Sequence, residues 1–384
     1  MKYLIIIPII FFITQPASAQ LTDDIHVSGY VQAMPLWIKA DLPGLTDDSF
    51  WEYRMQNRLN LRWDMTSSWT FNWQMRTRIF AGDLVNDIPF YSDAIDIDDG
   101  YFDLSWLMVD RDKWILHYIP DRLYTQWDNS EWSVRIGRQR INWGINMITN
   151  PNDIFNIYSF YDFDYPERPG TDAVRIQHFT GTFTRWELAV SPAREGRQST
   201  AALMYGFNTR GYDIQVLGGY FRNRLALGGG WAGNIDQTGF KGEFMFFTDL
   251  EENTVQHSTN VVLAVGIDHM FDNSLFLIAE GLYNRAGGRD EFLLLGEPLS
   301  ADNPSFSRFQ FTSQLTYPFT PLLQGSLAAI FYPDEQAVFF APSITYSVTQ
   351  NIDFNMLTQL FAGSDDSPFA NAGNVVAASL KWNF

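Results

Sequence analysis

Apolar and polar residues alternate with a period of two along most of this chain. From Tyr53 to Met65 one set reads Tyr53, Met55, Asn57, Leu59, Leu61, Trp63 and Met65, and the other Arg54, Gln56, Arg58, Asn60, Arg62 and Asp64. A β-strand places two such sets on opposite faces. After Thr66-Ser67-Ser68 the pattern resumes, with Trp69, Phe71, Trp73, Met75, Thr77 and Ile79 against Thr70, Asn72, Gln74, Arg76 and Arg78. The two runs predict a hairpin with one aromatic face and one arginine-rich face.

That pattern suits either a soluble sandwich or a membrane barrel, and the two ends of the chain separate them. Lys2, the apolar run Tyr3 to Ile13 and the small residues Ala17-Ser18-Ala19 read as a signal peptide over residues 1–19, which leaves residues 20–384 as a single barrel domain. The apolar run is too short to span a bilayer as a helix, which needs about 20 apolar residues. At the other end Val376, Ala378, Leu380, Trp382 and Phe384 share one face. This ending resembles the assembly signal of bacterial outer-membrane barrels, so Leu380, Trp382 and Phe384 are expected to be read by the barrel-assembly machinery.

The fold class expected is all-β, a transmembrane antiparallel β-barrel of about 18 strands, with 16 as the fallback, since single-chain bacterial barrels have even counts. The fourth strand is placed at 121–128, and the strand-like Tyr101 to Met108 is assigned to a folded external loop to keep the count even. With both termini periplasmic, the short turns (66–68, 128–131, 181–182, 209–211, 234–237, 271–274, 318–321 and 349–350) fall on the periplasmic side. The long connections (39–51, 81–120, 141–171, 285–305 and 362–371) then fall outside. The location this implies is the bacterial outer membrane, with its lipid and lipopolysaccharide as partners.

Composition agrees once alternation is taken into account. A mean hydropathy of -0.15 would suit a soluble protein. Aromatics make up 16% of residues, however, with 13 Trp, and charged residues only 18%, against about 25% in soluble domains. The net charge of -18, one unit more acidic without Lys2, makes nucleic acid an unsuitable partner. With no Cys there are no disulfides and no thiolate chemistry.

Alternation puts a basic ladder on the lumen side: Arg54, Arg58, Arg62, Arg76, Arg78, Arg122, Arg135, Arg175 and Arg185. Acids follow in the loops, at Asp83, Asp87, Asp93, Asp96, Asp98 and Asp99, and at Asp153, Asp162, Asp164 and Glu167. Either loop, folded inward, would oppose carboxylates to arginines across a constriction and orient dipolar solutes there. Clustered arginines favour small polar or anionic solutes, whereas the acidic outer loops oppose their entry. The plainer alternative is that the arginines pair with lumen acids such as Asp64 and Glu187 and serve structure alone.

Catalysis is not expected. The histidines His26, His117, His178, His257 and His269 each stand apart from any Ser or Asp set. No spacing suggests a metal site or a cofactor, and the acids of 93–99 lack the fixed pattern of a calcium loop.

The run Arg135-Ile136-Gly137-Arg138-Gln139-Arg140-Ile141-Asn142-Trp143-Gly144, followed by Asn150-Pro151-Asn152-Asp153, resembles a motif of porin-like outer-membrane proteins related to the alginate-export barrels. Asp162 to Gly170 resembles a further hallmark of close relatives. The resemblance is concentrated in residues 121–181. It implies a barrel of about 18 strands with an arginine-lined lumen, passing a hydrophilic, anionic solute or polymer. Gly137 and Gly144 would allow close approach of strand end and loop. Arg138 and Arg140 would clamp loop acids, Arg138 with Asp162 or Asp164 as a latch and Glu167 nearby; alternatively these are solvated loop charges. Two functional classes stand: a porin or exporter, and a barrel plugged by its long loops that serves as a structural subunit of an outer-membrane assembly.

Overall fold

A computed structural model describes residues 19–40, 49–89, 91–156, 167–251, 259–287, 299–364, 367 and 373–384. Its strands are β1 (Ala19–Thr22), β2 (Ile25–Lys39), β3 (Ser49–Asp64), β4 (Trp69–Gly82), β5 (Trp106–Arg111), β6 (Trp114–Asp128) and β7 (Trp132–Gln139). They continue with β8 (Thr171–Gly181), β9 (Thr184–Ser191), β10 (Thr200–Thr209), β11 (Tyr212–Phe221), β12 (Arg224–Ile235) and β13 (Thr238–Asp249). The last are β14 (Thr259–Met270), β15 (Phe276–Asn284), β16 (Phe309–Thr320), β17 (Leu323–Tyr332), β18 (Ala337–Thr349), β19 (Ile352–Ala362) and β20 (Asn374–Asn383). Two short helices, α1 (Asp83–Asp87) and α2 (Tyr91–Ile95), follow β4.

Eighteen of these strands form a closed antiparallel barrel, sealed where β20 pairs with β2. The other two are extensions: β1 pairs only with β2, and β5 pairs only with the start of β6. Of the strand-like Tyr101 to Met108, only Trp106 to Met108 fall in a strand, β5, which lies outside the barrel count. The fourth barrel strand begins at Trp114, seven residues before the expected boundary, because β4 supplies a partner along that length.

The antiparallel pairing puts all eight predicted short turns at one end of the barrel and the strand ends that flank the long connections at the other. Between β10 and β11 the turn residues Arg210 and Gly211 both have positive φ, 51° and 82°. This two-residue turn matches the twist of the strands it joins.

The outward face is apolar as alternation requires: Tyr53, Met55, Ile136, Leu203, Val216, Phe244 and Phe311 are all exposed on the barrel exterior. The inward face departs from the expectation. At the loop end it is apolar too. Leu36, Ile38, Phe50, Phe80 and Ile115 pack with Leu84 of α1 and Tyr91 of α2. Met204, Phe221, Met245, Phe247 and Leu282 pack with Ile141, Trp143 and Ile154. Ile330, Tyr332 and Phe339 pack with Phe306. Alternation puts a basic ladder on the lumen side, but where loops fold inside, the wall meets protein instead of water, and apolar contact is the stable solution.

Candidate functional site: the lumen layer and its loops

Two outer loops fold into the barrel, and different charges hold each one. In the first, Tyr91 donates a hydrogen bond to Glu52 Oε1 at 3.0 Å, and Arg78 donates to the carbonyl of Ile95 at 3.4 Å. Ser105 Oγ lies 2.7 Å from His117 Nε2 and also bonds Asp96. A serine and histidine so placed invite a hydrolytic reading. Arg78 Nη2, however, lies 3.0 Å from His117 Nδ1. A guanidinium only donates, so Nδ1 must accept and Nε2 carries the proton. The ring then has no free base to offer Ser105, and the cluster serves as a loop anchor.

The described first part of the second loop, residues 140–156, runs along the inner wall of alternate strands. Trp143 donates its indole N–H to Glu187 of β9 at 2.6 Å, and Gln215 of β11 donates to the Trp143 carbonyl at 2.5 Å. The backbone N–H groups of Ile145, Asn146 and Asn152 donate to Glu243 of β13 at 2.5, 2.7 and 2.8 Å. Ile148 and Thr149 donate to Glu280 of β15 at 3.4 and 2.8 Å. Glu187 and Glu243 are fully buried, and their carboxyl oxygens are the acceptors for these loop donors. Close approach is possible because β12 is bare there. A Cβ on Gly230 would come within 2.8 Å of Ile145 and 3.1 Å of Asn152.

The predicted ladder residues are distributed as follows. Arg54 pairs with Glu52 at 2.7 Å, and Arg62 with Asp64 at 3.0 Å near the turn end. Arg175 and Arg185 both address Glu187, at 2.6 and 3.8 Å. Arg135 donates twice to Gln126 and lies over the ring of Tyr124. Arg76 is buried beside the loops. Arg122 donates to the carbonyls of Glu167 and Arg168 at 2.8 and 2.9 Å. The pairings with Asp64 and Glu187 named in the structural alternative are therefore present.

Arg138 falls out of step with the ladder, three residues on from Arg135. It bonds Asp172 at 2.9 Å, Asp98 at 2.7 Å and the carbonyl of Phe102 at 2.7 Å. It clamps loop acid, as a latch would, but from the first loop and from β8. Asp162 and Asp164 lie outside the described residues. Burial alone would raise the Asp98 carboxyl, but Arg138 and the backbone N–H groups of Leu104 and Gly100 hold it below the usual range. Gly137, at φ 120°, is required at this strand end, since a Cβ would meet the Leu123 carbonyl at 2.3 Å.

At the centre of the layer stands a group that alternation did not reveal. Gln74 pairs with Arg122 and Met75 with Pro120, so Asp121 is the extra residue of a β-bulge. In a regular strand Asp121 would face away from Arg122. The bulge re-aims it, and Asp121 forms a short ion pair with Arg58, both side chains being almost fully buried. Glu167 lies 3.8 Å from Arg58 and accepts a hydrogen bond from Tyr30 at 3.3 Å. Proline inside a strand was the available sequence signal, since Pro in a ladder marks an edge or a bulge.

Two lumen cavities flank this layer. One of about 280 Å³ on the loop side is lined by Arg76, Arg78, Asp98, Asp121 and Arg138 among others. The other, of about 460 Å³, is lined by Tyr30, Arg58, Asn60, Gln74, Arg122 and Glu167 among others. Among the described residues no three His, Cys, Asp or Glu side chains are grouped to hold a metal ion.

Asp153, in the second loop, is buried. Burial, assisted by Glu243 and opposed by Arg140 and Arg168, pushes its carboxyl up to about 8 from an ordinary 3.8. A raised acid stabilises the docked loop fully below the ordinary value and loses that contribution as pH rises toward 8. Protection of the 141–156 amides from hydrogen exchange, relative to free peptide, should therefore fall between about pH 4 and 8. Asp153→Asn should flatten that dependence; an unchanged slope in the variant would refute the assignment.

The overall class follows from this geometry: a porin-type barrel with loops folded into its lumen. Solved structures agree on the fold. Acinetobacter baumannii OccAB3 matches with a TM-score of 0.60 at 10% identity, covering 93% of this chain and 99% of that one. A BenF-like porin from Pseudomonas fluorescens Pf-5 matches at 0.57 and 8%, covering 94% and 99%. Pseudomonas aeruginosa OccD3 (OpdP) matches at 0.54 and 8%, covering 93% and 91%. No family model and no curated protein matches the chain.

Proposed function

We propose that the chain is a channel or exporter of the bacterial outer membrane, passing small hydrophilic solutes with a preference for anions. The observation that carries this reading is the arginine-bearing wall of β3, β4 and β6, which lines cavities on both sides of the Arg58 layer. Arginine presents a flat fork suited to carboxylate and phosphate oxygens. Kinship with the alginate-export barrels belongs to the same reading and rests on the run from Arg135 to Gln139. The long loops then face outside, and Leu380, Trp382 and Phe384 form the assembly signal.

The test is ion selectivity in a planar bilayer under a salt gradient. Replacing Arg76 and Arg78 by Gln should shift the reversal potential toward cations while the barrel stays folded. An unchanged potential in a conducting pore would remove the anion preference.

A second reading has its own support, namely the apolar inner face at the loop end and its packing against both loops. Such a plug suits a structural subunit of an outer-membrane assembly. Absence of conductance in the parent chain and in loop-released variants alike would select it.

A further inference from the structure

The Arg58–Asp121 ion pair stands in the layer between the two lumen cavities and forms part of the partition there. Arg58 lines the turn-side cavity, and its partner Asp121 lines the loop-side cavity. The neighbouring residue Arg122 lines the turn-side cavity and grips the carbonyls of Glu167 and Arg168, where the second loop returns to the wall. Glu167, near Arg58, is itself partly exposed to the turn-side cavity. Two carboxylates from different parts of the chain thus address one nitrogen of the guanidinium, Nη1 of Arg58.

We infer that Asp121 and Glu167 are built-in counter-ions that hold this partition closed, and that a solute carboxylate or phosphate opens it by taking their place on Arg58. The inference rests on the channel reading and deepens it by naming the residues that set selectivity. Three considerations support it. First, Asp121 reaches Arg58 only through the β-bulge at Pro120. Bulges concentrate where a side chain must be re-aimed, and a regular strand would have left the ladder without this acid. Second, a buried guanidinium stripped of its anion is costly, whereas exchange of one oxyanion for another keeps the charge-assisted hydrogen bond from Arg58 Nη1 and the charge balance. A permeating anion can therefore displace Asp121 where a neutral solute of equal size cannot. Third, Gln74 and Asn60 already hold Nη2 and Nε of Arg58, at 2.8 and 3.0 Å. The guanidinium stays in place while its anionic partner changes, so the ladder need not rearrange.

The consequence is a pore whose flux depends on the charge of its solute. Chloride, which has no carboxylate oxygen to stand in for that of Asp121 on Nη1, would open the partition poorly, and organic carboxylates of a size to fit about 280 Å³ would open it well. Arg76, in register beside Arg58, would receive the anion on the loop side, and Arg122 would receive it on the turn side.

The experiment compares the full-length barrel with Asp121→Asn and Glu167→Gln in bilayers, in chloride alone and with added acetate or benzoate as the probe. The parent chain should show a low chloride conductance that rises several-fold with the organic anion. Asp121→Asn should conduct chloride several-fold better at the start and lose most of the response; Glu167→Gln should do the same to a smaller extent. Because Asp121→Asn leaves Arg58 without its anion, the double variant Arg58→Gln/Asp121→Asn, which replaces the ion pair by two amides, guards against misfolding and should also lack the response. If the parent conducts and Asp121→Asn and the double variant retain both its chloride conductance and its response, the counter-ion role is overturned and the channel reading stands. If nothing conducts, in parent or variants, both fall together.

Discussion

Glu243→Ala is expected to release the second loop from the wall and raise single-channel conductance several-fold. The fully buried Glu243 accepts three backbone N–H groups, from Ile145, Asn146 and Asn152, at 2.5 to 2.8 Å. Removing it leaves three buried donors unsatisfied, each costing about 1–3 kcal/mol. The barrel itself should persist, because Glu243 contributes no ladder bond through its side chain and its strand remains paired on both sides. Glu243→Gln keeps one acceptor oxygen and should give a smaller rise. Loop release can be followed separately, as new protease cleavage within 141–156. Wild-type conductance together with a protected loop would show that Glu280 and Glu187 hold the loop unaided.

Deleting Phe384 is expected to remove most of the assembled barrel from the membrane without changing signal cleavage. Phe384 exchanges both backbone hydrogen bonds with Gly29 at 2.9 Å, at the seam where β20 meets β2. Its ring lies over Gly29, where a built Cβ would stand 2.9 Å from the ring edge, and it packs against Trp382 at 5.3 Å between centroids. An aromatic over a strand glycine covers a stretch of backbone that has no side chain of its own. Phe384→Ala keeps the backbone pair and should lose less. Gly29→Val should also impair assembly, since its Cβ would meet the Arg58 carbonyl at 2.1 Å. The fraction of heat-modifiable barrel on gels reports each outcome, and normal folded levels in the deletion would count against a role of the seam in assembly.

Much of the fold was legible because membrane strands obey a local rule. Arg54, Arg58, Arg76 and Arg78 alternate with Met55, Leu59, Met75 and Ile79, and reversing the faces would put arginines in lipid, at about 2–4 kcal/mol each near the midplane. The inward direction of the ladder follows from that penalty; the strand count and the end at which each short turn lies follow from the number of alternating runs and their even parity. Pairings between residues two apart in one strand, such as Arg62 with Asp64 at 3.0 Å, were equally open to the sequence.

What alternation could not supply are contacts made across large separations. Arg58 meets Asp121 63 residues away, Ile145 meets Glu243 at 98, and Thr149 meets Glu280 at 131. The period-two pattern even points Asp121 the wrong way, because one extra residue at the bulge inverts the face of what precedes it. The same limit hid the apolar inner wall: Phe247 and Met245 face inward, yet they are buried by Trp143 and Ile154 from a distant loop. Sequence alone determined the direction of the strand residues wherever the ladder is regular, because lipid lies on one fixed side of every strand. Only the tertiary structure decided which inward residues meet water, loop or counter-ion, because that depends on where closure of the barrel brings residues that are remote in the chain.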